Sequence, residues 1–219
     1  MNSVLQRVYE IGIIPVIAFN SADEALPLCK ALMGGGLPAA EVTFRTACAE
    51  ECIKKIHEEL PDMLLGAGTV LTVDQADRAM AAGASFIVAP GFDPEVCQHV
   101  IDKGGIMMPG TATAGEMQQA MNMGCECVKF FPAEANGGVD KLKNIETSSW
   151  GLKEEVALRS LWHTRGSTRL RWLSGRRHER HIRWHGRYLQ LVLRRHGRTW
   201  RPADQARWPR HGHWPAPHP

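Results

Sequence analysis

Lys129 sits in the run Cys127-Val128-Lys129-Phe130-Phe131-Pro132-Ala133-Glu134, whose apolar members give its head no easy polar exit on its own segment. Lysine is almost never buried without a partner, so a lysine inside such a strand calls for a reason. A desolvated lysine beside another cation has its ammonium form disfavoured, and the neutral amine can then attack a carbonyl carbon. A side chain snorkelling from a strand end is the plainer reading. The second constellation is Ala39-Ala40-Glu41-Val42-Thr43-Phe44-Arg45. Strand alternation puts Glu41, Thr43 and Arg45 on one face and Val42 and Phe44 on the other. Opposite charges inside a core are costly unless they pair or meet a charged ligand. Glu41 can supply the general acid and base that imine chemistry needs, with Arg45 as the cation near Lys129. A buried Glu41–Arg45 ion pair that only fixes packing accounts equally well for this strand taken alone.

Three glycine-bearing segments could line a mouth above these groups. In Gly66-Ala67-Gly68-Thr69-Val70 the glycines permit close backbone approach to a small ligand. Thr69, read on the same strand face as Ala67 and Leu65, offers a hydroxyl and an N–H to a carboxylate. Pro109-Gly110-Thr111 and Pro90-Gly91 end two further apolar runs in the same way. Each alone is an ordinary tight turn.

Positioning such residues requires repeated strand–helix units. Short apolar runs, Ile13–Phe19, Ala39–Phe44, Met63–Ala67, Phe86–Ala89, Gly105–Met108 and Glu126–Phe131, read as strands. Between them Ser21–Gly34, Ala47–Glu59, Val73–Ala82, Asp93–Asp102 and Thr113–Met123 read as amphipathic helices. Gly34, Gly83, Gly104 and Gly124 follow or end helices, where a left-handed residue is favoured. Six such units stop near residue 150. A doubly wound open sheet has a similar pattern, but inward polar residues within strands favour a (β/α) barrel, because an open sheet covered by helices is apolar on both faces. The catalytic groups of a barrel stand at the C-terminal ends of its strands.

Composition divides the chain in two. Residues 1–158 carry 11 Lys and Arg against 21 Asp and Glu, a net charge of −10. Residues 159–219 carry 15 Arg, no Lys, Glu179 and Asp204, a net of +13. All seven Trp and eight of ten His lie at or beyond position 150, whereas Met and Cys end by Cys127. Arg, His, Trp, Pro and Gly without Lys, Met or Phe is what a G/C-rich gene yields when read out of frame. The expectation is a barrel domain over 1–150 and an aberrant, disordered tail over 151–219, with a frameshift between about Glu146 and Arg159. A basic nucleic-acid-binding arm is disfavoured, since it would use Lys as well and rarely so many Trp. The six cysteines lack Cys-x-x-Cys spacing and read as reduced, mostly buried thiols; no His stands at useful spacing from Cys125 and Cys127 for a metal site. Without a secretory leader or a long apolar run, the expected setting is cytoplasmic with no membrane contact.

Taken together, Glu41-Val42-Thr43-Phe44-Arg45-Thr46, Gly66-Ala67-Gly68-Thr69-Val70, Pro90-Gly91, Pro109-Gly110-Thr111 and Lys129-Phe130-Phe131-Pro132-Ala133-Glu134 with Gly137-Gly138 resemble, in order, the 2-keto-3-deoxy-6-phosphogluconate (KDPG) and 4-hydroxy-2-oxoglutarate (KHG) aldolases. The resemblance covers roughly residues 1–145. It implies an α/β fold of the TIM (β/α)8 barrel type, a homotrimer, a small 2-keto acid substrate and no metal or organic cofactor. It implies Lys129 as the imine-forming lysine and Glu41 as general acid and base. Arg45 and Thr69 would hold the pyruvate carboxylate, Phe131 would pack on the substrate, and Pro109 and Gly110 would line its site. The implied reaction cleaves KDPG to pyruvate and glyceraldehyde 3-phosphate, or KHG to pyruvate and glyoxylate. After Ile145 the family continues with a Gly-Gly phosphate loop on a seventh strand and a Gly-Gly-Ser-Trp-like turn on an eighth. Neither is recognisable here, so the last two βα units are expected to be absent or scrambled. The alternatives are an inactive barrel remnant whose basic tail binds polyanions, and a sugar-phosphate isomerase or decarboxylase on the same fold.

Overall fold

A computed structural model of the chain describes residues 2–147 and, beyond them, four short strands, Ser160–Leu161, Leu170–Leu173, His181–Ile182 and Leu193–Arg194 (β8 to β11). Helix α1 (Ser3–Ile11) comes first. The strands β1 (Val16–Ile17), β2 (Ala39–Thr43), β3 (Leu64–Gly68), β4 (Phe86–Val88) and β5 (Met107–Met108) then alternate with α2 (Ala25–Gly34), α3 (Ala49–Glu59), α4 (Val73–Ala81) and α5 (Pro94–Asp102). They are followed by β6 (Gly110–Thr111), α6 (Ala114–Asn122), β7 (Cys127–Phe130) and α7 (Gly138–Thr147).

The strands from β1 to β5 pair in sequence order and in parallel, and β6 pairs β7 the same way. Right-handed crossovers between successive neighbours keep the helices that connect them on one face of the sheet. A doubly wound sheet would reverse its order midway and carry helices on both faces. This sequential winding leaves the inner face to close on itself, as in a TIM-type barrel.

Strand parity confirms two separate cores. Ala40, Val42, Leu65, Ala67, Ile87, Met107, Val128 and Phe130 pack outward in one cluster with helix residues such as Ile53, Ala76, Val100 and Ala120. Ala39, Leu64, Phe86, Val88, Met108 and Cys127 pack inward in a second cluster, joined by Leu5 and Val8 of α1 and by Ile14. Helix α1 therefore stoppers the end of the barrel at which the strands begin. All six cysteines are free thiols, and burial pushes Cys29 up to about 11 and Cys52 up to about 12, which keeps them protonated and inert near neutral pH.

Local chemistry explains the helix starts. The Thr72 side chain caps α4 through the Gln75 N–H, and Asp93 caps α5 ahead of Pro94. Thr113 and Glu116 form a reciprocal capping box on α6. Four differences from the sequence reading stand out. Helix α2 runs through Gly34, and the left-handed turn falls on Gly36 (φ 78°) instead. The expected first helix begins as a separate 3-10 turn, Ala22–Glu24, capped by Ser21. The first strand shrinks from Ile13–Phe19 to two residues, because Ile14 and Phe19 are held by packing rather than by a ladder. Helices α1 and α7 had no counterpart in that reading, although Asn2 as cap with Val4, Leu5, Val8 and Ile11 behind it is an amphipathic start.

Strand β11 lies antiparallel against β7, with Leu193 opposite Val128. The expected absence of two βα units, the disorder of 151–219 and the frameshift junction fall almost wholly outside the described residues. Among those residues no helix is long and apolar enough to cross a membrane.

Candidate active site

Cys127 and Lys129 alternate inward along β7, and Lys129 keeps only 7% of its surface exposed. Its strand is held in register by the Lys129 N–H donating to the Pro109 carbonyl at 2.8 Å, and the Thr111 hydroxyl donates to the Lys129 carbonyl at 3.3 Å. Its Nζ lies 4.1 Å from the centroid of the Phe131 ring, which stands at the rim and is 37% exposed. Burial pulls the Lys129 ammonium below the ordinary lysine value. The Glu41 carboxylate opposes that shift, and the positive charge of Arg45 adds to it. Both charges were expected near the lysine, and both act on it here.

Glu41 is 1% exposed and projects inward from β2. Its carboxylate lies over Gly68 of the next strand, so closely that a Cβ built on Gly68 would fall 1.7 Å from Glu41 Oε1. A Cβ on Gly66 would likewise fall 2.0 Å from the Phe86 ring. The two glycines on the inward face of β3 thus make room for the chain's own side chains. This corrects the expectation that they serve the approach of a ligand. A signal for it was present in the period-two spacing of Gly66 and Gly68, opposite Glu41 and Thr43 in the β2–β3 register.

Two other expected positions shift. Strand β2 ends at Thr43, so Arg45 lies in the following turn and is exposed, acting on Lys129 from the mouth rather than from the strand face. Thr69 lies one residue past the end of β3 with φ 38°, a left-handed conformation rare for a β-branched side chain, so strand parity does not govern where it points. Its neighbours are pinned by the Phe44 N–H on the Gly68 carbonyl at 2.7 Å and the Val70 N–H on the Val88 carbonyl at 3.1 Å. Backbone strain of this kind, worth about 1–3 kcal/mol, persists only where the surroundings over-determine it and gathers at functional sites.

Pro109 and Gly110 are buried between neighbouring strands. A Cβ on Gly110 would fall 2.1 Å from the Pro90 carbonyl oxygen, so this glycine sets the spacing between chain segments. Thr43 is the residue the sequence reading placed on the inward face without giving it a role; it is 1% exposed, and its hydroxyl has no hydrogen-bond partner among the described residues. No three of His, Cys, Asp and Glu converge among those residues as a metal site.

A buried, deprotonation-prone amine, a carboxylate within electrostatic reach and a cation at the mouth, all inside one barrel, can form and protonate an imine of a carbonyl compound. Known proteins share this framework. Residues 4–152 match the family model described as KDPG and KHG aldolase. The chain is 47% identical over 138 residues to a 2-dehydro-3-deoxy-phosphogluconate aldolase of Treponema pallidum, covering 63% of this chain and 66% of that one. It is 40% identical over 133 residues to the KHG/KDPG aldolase of Escherichia coli K12, covering 61% and 62%. Among solved structures, a KDPG aldolase of Legionella pneumophila with pyruvate captured as a covalent carbinolamine superposes with a TM-score of 0.60 at 39% identity, covering 62% of this chain and 66% of that one. The chain thus spans just under two thirds of the length of such relatives. On the family match, which extends over more than half of its residues, the chain belongs to the KDPG and KHG aldolase family.

Proposed function

We propose that this protein is a class I aldolase that cleaves a 4-hydroxy-2-keto acid through an imine on Lys129. The observation that carries the reading is the burial of Lys129, with its ammonium destabilised, in the interior that also holds Glu41. The neutral amine adds to the C2 carbonyl, and loss of water leaves a protonated imine. Glu41 takes the C4 hydroxyl proton, the C3–C4 bond breaks, and its electron pair flows into the imine to give an enamine and a free aldehyde. Protonation at C3 and hydrolysis then release pyruvate and the lysine. Arg45 and Thr69 hold the carboxylate, Phe131 covers the bound keto acid, and Pro109 and Gly110 supply the wall behind it. The substrates of this reading are KDPG, giving glyceraldehyde 3-phosphate, and KHG, giving glyoxylate; a chain that completes its barrel assembles as a homotrimer.

The 1–150 domain followed by an out-of-frame tail is part of the same proposal. The family match ending at residue 152 and the switch in composition at the same place support it. Another reading frame of the gene should encode the two remaining βα units with their Gly-Gly loop, and a gene without them in any frame would sink the frameshift.

The enzyme reading is tested by incubating the protein with pyruvate and borohydride. One pyruvate-derived adduct on Lys129 is expected, and none in Lys129→Ala. A folded sample that gains no mass, or a Lys129→Ala variant that still gains it, would overturn the assignment.

A further inference from the structure

The hydroxyl of Thr43 has no duty in the reaction as described so far, yet it is buried on the reactive face. Thr43 and Glu41 are successive inward residues of β2, and Thr43 stands directly opposite Gly68 in the ladder. The Glu41 carboxylate lies over that same glycine. The hydroxyl and the carboxylate therefore both stand at the height of Gly68 in the barrel. The Thr43 Oγ1 makes no hydrogen bond there to any described residue. Leaving a buried hydroxyl unmatched is destabilising, and a valine of the same shape would avoid that cost. A β-branched apolar residue would also suit this buried strand position. The hydroxyl is accordingly matched to an oxygen that enters the site from outside.

Resting on the imine reading above, we propose that Thr43 is a substrate-contacting residue whose hydroxyl, together with Glu41, holds the C2 oxygen of the 2-keto acid while that oxygen is converted to water. As Lys129 Nζ bonds to C2, the carbonyl π pair moves onto this oxygen. Two protons reach it through Glu41, one taken from the adding amine and one from solvent. The C–O bond then breaks, water leaves, and the nitrogen lone pair closes the C=N bond of the protonated imine. Thr43 neither gains nor loses a proton overall. Its hydrogen bond fixes the oxygen within reach of the carboxylate, so it speeds dehydration and, in reverse, hydrolysis.

The test measures the rate at which the full-length chain is trapped on Lys129 by pyruvate and cyanoborohydride, read by intact mass, in the wild type, Thr43→Val and Thr43→Ser. Thr43→Val should slow trapping about 10–100-fold, the range expected for losing a hydrogen bond to a reacting group, while Thr43→Ser stays within about threefold of the wild type. The Tm of Thr43→Val should be unchanged or higher, which a purely structural role for the hydroxyl would not allow. Trapping of Thr43→Val at the wild-type rate, or equal slowing in Thr43→Ser, overturns the role of the hydroxyl and leaves the aldolase reading standing. Absence of trapping in the wild type overturns both. If Thr43→Val does not fold cooperatively, Thr43→Ala against Thr43→Ser decides by the same criteria.

Discussion

Two influences on Lys129 act in the same direction, and they can be separated experimentally. Burial comes first and the charge of Arg45 second, both lowering its affinity for a proton against the pull of Glu41. A lowered value enlarges the fraction of neutral amine at any pH below the ordinary lysine value of 10.5. The rate of pyruvate trapping should therefore rise with pH through a midpoint below 10.5; a midpoint at or above that value would contradict a desolvated lysine. Arg45→Gln should move the midpoint to higher pH, since it removes a repulsive charge, whatever it does to the affinity for pyruvate. A midpoint that stays in place or falls would show that Arg45 does not act on the amine. Glu41 and Lys129 were legible as an interior pair because alternation along β2 and β7 is strict. Arg45 and Thr69 were misplaced because each lies just past its strand, where turn geometry replaces the period of two. The inward hydroxyl of Thr43 was visible as a position, but its lack of a partner was not, since that depends on what five other strands put around it.

At the level of the strand, the two inward glycines of β3 make opposite predictions. Gly66→Ala drives a methyl into the buried ring of Phe86, a rigid neighbour, and should lower stability by roughly 1–3 kcal/mol while folded molecules still label at Lys129. Gly68→Ala meets the far end of the flexible Glu41 side chain. It should displace the carboxylate at smaller cost in Tm and slow trapping by at least an order of magnitude, part of the roughly 10²–10⁴-fold that a positioned acid or base contributes. Thermal melts alongside trapping rates check both, and equal behaviour of the two variants would deny Gly68 its special relation to Glu41. Most of the fold was legible at this scale. Helices α4, α5 and α6 carry their caps in sequence at Thr72, Asp93 and Thr113, and the strand centres are apolar runs. The short β1 and the break of the ladder at Pro109 between β5 and β6 were not, because they reflect how neighbouring strands meet rather than any local preference.

For the molecule as a whole, charge and edges decide behaviour in solution. Among the described residues β1 is paired on one side only, and the acidic 1–158 portion is joined to a strongly basic 159–219 portion. An uncovered strand edge invites pairing with another chain, and opposite charges on one chain attract between molecules as well as within them. Light scattering should show association that grows with concentration and weakens as salt shortens the Debye length from about 10 Å at 0.1 M. A monodisperse trimer that unfolds cooperatively and ignores salt would contradict this expectation. Helix α1 bears on a different property. By seating Leu5 and Val8 beneath Phe86, Met108 and Cys127, it closes the far end of the channel in which the lysine stands, so the low polarity felt by Lys129 depends in part on a segment that never meets a reactant. Reactivity can therefore drift without any change at the mouth. A polar substitution at Val8 would wet the floor, and the proton affinity of Lys129, the next inward residue after Cys127 on its strand, would climb back toward that of a lysine in water.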